Sequence, residues 1–554
     1  MTRPPRPPLV FRIGIVGHRP NRLTSAHLPD LKSRLAEIVA VVKEEVAAQY
    51  KTQRELYDDA PPVIRALSPL AEGVDRIFAE CALQQDCELT VVTPFERHEF
   101  ENDFVAARAL EPDSIDRFRE LISQANRVFE LDGSRADESA AYHVAGDVVL
   151  NQSDLLIVVW DGKRKNLRGG TEETFDDAID RGVPIVWIDA HAPHHWRTLT
   201  RPLRLLEESR PGIRAALTKS HSTDQVREQV RRLLELPSSD CTANERPSEH
   251  ANKIALRRAL DVFLSERQPR FNFAIGWKLF RNIIGDNRWR IPRVRVVPYD
   301  TDVESKWPRD DSQPVAALVD RLRPFYAWSD KPADRYADAY RSAFIMAFGL
   351  AAFAVAMALA PLGLNVPDHS LPDTLFAVAE AVAICLILLI VILGRHGHWH
   401  RRWLDYRLLA EIFRHLRLVA PLGGKRASPA VPAHWTDYGD VGASWMAWYA
   451  RAVERWLGLP ITVVDRNYLE HCVRELEDQL GGTHGQILFH QAATQRADRI
   501  EHRLHRIEVG LLAATLICCL QHIAQGLLHA WPQIPGPALT FCCGVFAALG
   551  AALG

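Results

Sequence analysis

The sequence lacks the cysteine spacings that signal a metal or redox site. Its 554 residues include nine cysteines, but no Cys-x-x-Cys motif and no Cys/His metal spacing occurs among them. Five of the nine lie in apolar stretches, at Cys385, Cys518, Cys519, Cys542 and Cys543. Thiols in such surroundings act as small apolar side chains. We therefore expect reduced cysteines and no bound metal.

An excess of either charge is also missing. The chain has 67 basic and 69 acidic residues, with a formal net charge of −2. This balance implies no bulk attraction to nucleic acid, so we expect no direct DNA or RNA binding. Residues 1–10 are rich in Pro and Arg but have neither an apolar core nor a cleavage site, which argues against a secretory signal.

Four apolar stretches in the C-terminal part are almost free of charge, and Glu380 is the one formal charge inside them. They form two close pairs, residues 343–364 with 375–393 and residues 509–528 with 537–554. Each is near the ~20 residues that a helix needs to cross a bilayer. We therefore predict four transmembrane helices in two hairpins, in preference to buried core helices of a soluble protein.

The basic residues around these stretches indicate an orientation. The hairpin loops, residues 365–372 and 529–534, contain no Lys or Arg, whereas residues 395–402 and 499–506 are strongly basic. The positive-inside rule then places the N-terminal domain and the segment between the hairpins in the cytoplasm.

Residues 9–200 alternate between β-rich runs and helical spacing. Residues 155–160 and 184–188 are near-continuous apolar runs, as expected of strands buried on both faces. Alternation of this kind predicts an α/β fold, a doubly wound parallel sheet of Rossmann type, followed by an all-α C-terminal region.

These patterns divide the chain into five predicted segments. We expect a ligand-binding domain, a connector of mixed helix and irregular structure, a first transmembrane hairpin, a cytoplasmic helical region and a second hairpin, over residues 1–200, 201–340, 341–395, 396–507 and 508–554. The helix predicted over 485–509 runs directly into the third apolar stretch, so it can act as a rigid stalk.

Candidate ligand-binding residues follow the ends of four predicted strands. In open parallel sheets, ligands bind outside the carboxyl ends of the strands. The segments that fall there contain Gly17, His18, Arg19, Ser68, Glu72, Gly73, Asp75, Arg76, Pro94, Arg168, Gly169, Gly170, Thr171, Glu172 and Glu173.

Their chemistry suits a nucleotide. The glycines allow backbone to approach a phosphate, and the arginines can fork onto its oxygens. Thr171 can cap the following helix and donate to an anion, while the carboxylates can accept from ribose hydroxyls. The segments therefore predict a nucleotide-type ligand. The alternative is a set of ordinary structural turns.

The same motifs resemble the SLOG superfamily. They read Ile-Gly-Ile-Val-Gly-His-Arg over 13–19, Ser-Pro-Leu-Ala-Glu-Gly-Val-Asp-Arg over 68–76, Asp-Leu-Leu-Ile-Val-Val-Trp-Asp-Gly over 154–162 and Gly-Gly-Thr over 169–171. This superfamily includes the LOG cytokinin-activating phosphoribohydrolases and the DNA-processing DprA fold. The resemblance covers about residues 9–200.

SLOG domains linked to paired membrane helices of the SLATT type are proposed parts of bacterial conflict systems. Residues 403–411, Trp-Leu-Asp-Tyr-Arg-Leu-Leu-Ala-Glu, resemble the stretch after the second helix in such proteins. The resemblance implies a multi-pass protein of the bacterial inner membrane, with a cytoplasmic domain that senses a nucleotide-derived second messenger and helices that form a pore. Helices so poor in charge would need several copies to make an ion path, so we expect a homo-oligomer.

One departure from the family pattern bears on activity. The hydrolases of the family have Gly-Gly-x-Gly-Thr-x-x-Glu, whereas here the third residue after Thr171 is Thr174 and the acid is Glu173. A helix turns ~100° per residue, so this carboxylate would point elsewhere. The departure favours binding, with no cofactor beyond the ligand. The alternative is a membrane-tethered phosphoribohydrolase or nucleotide hydrolase that uses Glu173 as catalytic residue with Arg19 or Arg76.

Overall fold

Aliphatic and β-branched runs form one sheet in the computed structural model of the chain. The described residues contribute eight strands: β1 (Val10–Gly17), β2 (Val63–Ser68), β3 (Glu88–Thr93), β4 (Arg127–Glu130), β5 (Leu155–Val159), β6 (Ile185–Ile188), β7 (Trp196–Leu199) and β8 (Thr462–Val463). Their order in the sheet is β7-β6-β5-β1-β2-β3-β4-β8. All neighbours pair in parallel except β6 and β7, which are antiparallel.

The strand order contains a reversal of direction at its centre. From β1 the chain moves outward through β2, β3 and β4, and it then returns to place β5 on the other side of β1. The loops that leave β1 and β5 therefore diverge to opposite faces of the sheet, which opens a crevice between their carboxyl ends. The prediction of an α/β fold is confirmed, with a mixed rather than wholly parallel sheet.

Helices cover the sheet and make up the C-terminal region. They are α1 (Leu28–Thr52), α2 (Val74–Leu83), α3 (Arg97–Phe100), α4 (Ser114–Gln124), α5 (Glu138–Gln152), α6 (Thr171–Asp180), α7 (Thr223–Leu234), α8 (Pro247–Leu264), α9 (Gly276–Phe280), α10 (Tyr299–Glu304), α11 (Ala316–Gly363), α12 (Leu371–Gly397), α13 (Trp399–Val419), α14 (Trp445–Leu457), α15 (Arg466–Gly481), α16 (Gln486–Leu527) and α17 (Gly536–Leu553). Short 3₁₀ segments lie at Pro20–Arg22, Ser25–His27, Arg54–Leu56, Glu101–Phe104, Arg135–Asp137 and Ala420–Leu422, and Arg281–Gly285 is a π-helical turn.

The structure describes residues 2–105, 107–164, 169–199, 222–236, 247–272, 274–286, 291–304, 307, 315–424, 444–482, 485–527 and 534–553. The chain divides into two units. The first unit comprises Met1–Arg267, Val303–Trp328 and Leu409–Leu476, and the second comprises Gln268–Asp302, Ser329–Leu408 and Glu477–Gly554. The sheet therefore shares its unit with much of the segment expected to form a separate helical region. The five predicted boundaries stay a prediction.

Burial of the central strands explains why their sequences are so apolar. Every residue of β5 is buried, and Phe11, Ile13 and Ile15 on β1 are fully enclosed. Burying one such side chain stabilises the fold by roughly 1.5–3 kcal/mol. A central parallel strand has helices on both faces, so it cannot alternate with polar residues.

A buried polar network joins α14 to the amino ends of β1 and β5. Asp154 accepts hydrogen bonds from the backbone N–H of Arg12 (3.0 Å) and from Nε of Arg455 (2.9 Å). Arg12 also donates to Gln152 (2.8 Å) and Glu454 (3.1 Å). Paired buried charges fix one arrangement, since removal of either partner leaves an uncompensated charge. Helix α14 is thereby part of the α/β unit.

The second unit contains long apolar helices. Within the described residues, three segments have the length and composition to cross a membrane: Ala316–Gly363, Leu371–Gly397 and Arg466–Leu527, the last of which includes α16. The buried share of their apolar windows is 17%, 6% and 0%. The fourth predicted stretch forms α17, an apolar helix shorter than the others. The four-span count is therefore not confirmed.

Helices of the second unit pack closely at small residues. A side chain at Gly363 of α11 would lie 2.6 Å from Cβ of Phe541 on α17. A side chain at Gly544 would meet Cδ1 of Leu359 at 2.2 Å. Small residues let helix backbones approach one another, which is the usual basis of helix association in lipid.

Candidate functional site

The sheet brings the predicted segments to one edge. Strands β1, β2, β3 and β5 are parallel neighbours, so Gly17, Ser68, Thr93 and Val159 end at the same side. Strands β1 and β5 are neighbours at the point where the strand order reverses. This is the position at which open α/β sheets bind ligands.

His18 ties the β1 loop to the β5 loop. It is buried, and its backbone N–H donates to the carbonyl of Val159 (3.2 Å). Its Nε2 lies 3.3 Å from the backbone nitrogen of Asp161 and 3.2 Å from that residue's Oδ1. Burial lowers the pKa of His18, although the hydrogen bond to Asp161 opposes the shift. A neutral imidazole can accept the Asp161 N–H at Nε2, whereas an imidazole protonated there donates to the carboxylate from the same nitrogen.

Arg19 stands next to an aromatic ring at the mouth of the crevice. Its side chain is exposed, and its guanidinium carbon lies 5.1 Å from the ring centroid of Tyr142. The Tyr142 hydroxyl donates to the carboxylate of Asp103. Burial raises the pKa of Tyr142 to about 12, so the phenol remains a donor at neutral pH. The Tyr142 ring and hydroxyl therefore help to hold the Arg19 cation in place.

Asp75 is the most perturbed carboxyl group at this edge. Only 6% of the residue is exposed, and its Oδ1 has no hydrogen-bond partner among the described residues. Burial raises the pKa of Asp75 to about 7, against the opposing charge of Arg19. A buried titratable group with an unused oxygen in a crevice is typical of a functional site.

Glu72 supports the neighbouring loop. One carboxylate oxygen, Oε1, accepts from the backbone nitrogens of Leu110 (2.9 Å) and Glu111 (3.2 Å) and from the Ser114 hydroxyl (2.7 Å). These bonds hold residues 110–114 against the start of α2. Contact between Glu72 and a ligand stays a prediction.

Arg76 and Ser68 are also engaged within the protein. Arg76 is fully buried, donates to the carbonyls of Leu70 (3.1 Å) and Ser114 (2.9 Å), and lies 4.2 Å over the ring of Phe104. The Ser68 hydroxyl donates to the Asp75 carbonyl (2.9 Å). Both side chains therefore order the loop that carries Asp75, and direct ligand contact by them is untested.

Two predicted glycines and Pro94 have packing roles. A side chain on Gly17 would lie 2.6 Å from Cγ1 of Val74. Gly73 has φ of 93° and a side chain there would meet the His18 carbonyl at 2.7 Å. Pro94 is buried, and its carbonyl accepts from the N–H of Gly133 (3.1 Å). These positions let α2 and the neighbouring loops close on the strand ends.

The loop before α6 has its own carboxylate. Gly170 is the N-cap and provides no side chain, whereas Thr171, expected to be the cap, is the first helical residue. The N–H of Gly169 donates to Oε2 of Glu173 (2.5 Å). The same oxygen lies 3.2 Å from Nδ1 of His143. Glu172 lies 3.6 Å from Arg164, and Arg168 is outside the described residues.

Three residues of the site were absent from the sequence prediction. Asp103, Tyr142 and His143 lie in a 3₁₀ segment and on α5, away from any strand end. No local motif marks them, because their role depends on where α5 packs. Reasoning from strand ends could not have found them.

A further cluster contains His143, Asp147 and Asp177, whose ligand atoms lie within 4.8 Å of one another. Arg181 lies among them, with Nη2 at 2.9 Å from Asp147 and 3.8 Å from Asp177. The guanidinium supplies the positive charge that a metal ion would bring. The geometry is that of an ion-pair network.

Comparison with known proteins finds no matching family model and no matching curated protein. The function must therefore be inferred from the arrangement of the residues.

Proposed function

We propose that the protein is a membrane effector in which a cytosolic SLOG-like domain senses a nucleotide-derived signal and gates paired transmembrane helices. The outcome is pore formation or membrane disruption at the bacterial inner membrane, in antiphage or conflict defence. The observation that carries the proposal is the exposed Arg19 on the loop after β1, close enough to the perturbed carboxyl group of Asp75 at the start of α2 to influence its charge.

The ligand's anionic group would contact Arg19. A guanidinium held against the Tyr142 ring presents a fork of donors that matches phosphate oxygens. The backbone N–H groups at the start of α6 add a second set of donors. Carboxylates at the same edge, Asp75 and Glu172, suit ribose hydroxyls or a base.

Gating requires that ligand binding to the α/β domain changes the arrangement of the transmembrane helices. The sheet is fastened to α14 at its amino edge, and α11, α13 and α15 each contribute residues to both units. A ligand shifts the equilibrium only if it binds one arrangement more tightly than the other. We propose that occupied domains assemble into a homo-oligomer, because helices so poor in charge need several copies to enclose water.

Dye-loaded liposomes that contain the full-length protein test this function. We expect nucleotides from a broad panel to raise dye release with the wild-type protein, and Arg19→Ala to abolish the response. Arg54→Ala is the matched control, since Arg54 is also exposed and lies 4.8 Å over a tyrosine ring, that of Tyr50. Release that no nucleotide changes, or an undiminished response in Arg19→Ala, would contradict the proposal.

One observation favours the hydrolase alternative. Glu173 and His143 form a carboxylate–imidazole pair at 3.2 Å, an arrangement that general acid–base catalysis uses. Incubation of the full-length protein with nucleoside monophosphates distinguishes the two functions. Base release that disappears in Glu173→Ala would establish hydrolysis. Nucleoside monophosphates that remain intact would support the sensor function instead.

A further inference from the structure

Four of the nine cysteines lie in a single pair of helices. Cys518 and Cys519 are adjacent on α16, and Cys542 and Cys543 are adjacent on α17. The two helices pack along each other. Their thiols meet: Sγ of Cys519 lies 3.6 Å from Sγ of Cys543. Cysteines used only as small apolar residues have no reason to face each other in this way.

We propose that Cys519 and Cys543 form a reversible disulfide that fastens α16 to α17, with a lipid-soluble quinone as the oxidant. The two sulfur atoms are in van der Waals contact across the helix pair. Forming the disulfide would bring them to a bond length of ~2.05 Å.

The reaction balances with a quinone. Each thiol gives up its hydrogen, one S–S bond forms, and two electrons and two protons reduce the quinone to the hydroquinone. Cys519 is exposed on the surface of an apolar helix, so an oxidant dissolved in the bilayer can reach it.

A metal site fits the thiols less well. Tetrahedral zinc needs four ligands, and Zn–S bonds of ~2.3 Å place the sulfur atoms about 3.8 Å apart. Within the described residues, no set of three of these thiols has all its sulfur atoms within 4.8 Å. Cys518 also lies within hydrogen-bonding reach of Cys542 and Cys543, but the described thiols do not form a compact set of three ligands, so they suit a disulfide better than a three- or four-thiolate site.

Full-length protein in nanodiscs provides the test. After treatment with a short-chain ubiquinone analogue, we expect the intact mass to fall by two hydrogen atoms and two thiols to resist alkylation. Peptide mapping should give a single cross-link, from Cys519 to Cys543, and dithiothreitol should reverse it. Cys519→Ser and Cys543→Ser should each abolish the cross-link, while Cys385→Ser, which removes an exposed cysteine on α12, should retain it.

Three results would overturn the proposal: full alkylation after quinone treatment, a disulfide between two copies of the chain, or a cross-link that persists in Cys519→Ser. The wild-type measurement alone decides the first two, so a variant that fails to fold does not obscure them. The disulfide does not depend on nucleotide gating, and its absence would leave the proposed function standing.

Discussion

Charged side chains at the amino ends of the parallel strands differ in burial and bonding from those at the carboxyl ends. These two ends of the sheet are its amino edge and its carboxyl edge. At the amino edge, Arg12, Asp154 and Arg455 are buried, and the carboxylate is bonded to both arginines. At the carboxyl edge, Arg19 is exposed, and an oxygen of Asp75 has no partner among the described residues. The charges at the amino edge pair with one another inside the protein, whereas those at the carboxyl edge are exposed, as in Arg19, or incompletely bonded, as in Asp75.

This difference distinguishes charged residues that stabilise one arrangement of the fold from charged residues that suit ligand binding. Buried pairs gain little net stability over apolar residues, but they fix a single arrangement and are costly to break. They therefore suit the join between the sheet and α14. A carboxyl group held out of water without full pairing destabilises the empty protein, so its retention points to a task. Mutations at the two edges should have different consequences.

The largest expected effect is at the amino edge. Asp154→Ala would leave Arg12 and Arg455 buried without their shared carboxylate, and we expect a loss of about 3–5 kcal/mol in the free energy of unfolding. Glu470→Ala is the control, since it removes an exposed pair with Arg466 and should cost less than about 1 kcal/mol. Thermal unfolding in detergent measures both, and equal shifts would contradict the comparison.

Asp75→Asn should act with the opposite sign and depend on pH. The raised pKa means that the folded protein holds this proton up to about pH 7, while the unfolded chain releases it near its ordinary value of 3.8. At low pH the carboxyl group is neutral in both states and does not change the free energy of unfolding. Between pH 3.8 and about pH 7 its ionisation lowers that free energy by a growing amount, which levels off at about 4 kcal/mol at higher pH. Asparagine removes the charge, so the variant should be more stable than wild type at pH 8 and equal to it near pH 3.5.

The fully exposed Asp59 is the matched carboxylate for that experiment. Asp59→Asn should change the melting temperature by the same small amount at every pH, because solvent screens its charge in both states. A pH-independent effect of Asp75→Asn would contradict the raised pKa, because it would mean that the pKa of this carboxyl group is the same in the folded and unfolded states.

Arg19→Ala should weaken ligand binding without a matching loss of stability. One charge-assisted contact contributes about 1.4 kcal/mol or more, so we expect the dissociation constant of a bound nucleotide to rise at least tenfold. The charge of Arg19 matters to Asp75 only when that carboxyl group is ionised, so at about pH 5 the melting temperature of the empty protein should fall little, because Arg19 is exposed. Calorimetry with the nucleotide that gives the largest dye release measures the affinity. A loss of stability without a loss of nucleotide affinity would show that Arg19 has a structural role instead.

Much of the α/β unit follows from the sequence because its strands are buried on both faces. The apolar runs at 10–16 and 155–160 could be assigned as strands from composition alone, and their parallel pairing then places the loops that follow at one edge. The prediction of this edge depended only on topology, which is why it agreed with the structure.

Features set by distant contacts could not be foreseen. Strand β8 has two residues and exists because Thr462 and Val463 pair with β4, far away in the chain. Tyr142 reaches Arg19 only because α5 packs beside β1. The hydrogen bond from Arg76 to the Ser114 carbonyl likewise depends on a loop that no local pattern connects to Arg76.

The smallest expected effect concerns Glu173. Glu173→Gln keeps an oxygen to accept from the Gly169 N–H but removes the charge that faces His143. Both side chains are partly exposed, so the change should cost less than about 1 kcal/mol of stability. If the carboxyl edge is a binding site, nucleotide-induced dye release should persist in this variant while it disappears in Arg19→Ala. Equal loss in both variants would show that the carboxylate acts on the ligand, and the edge would then have to be interpreted as catalytic.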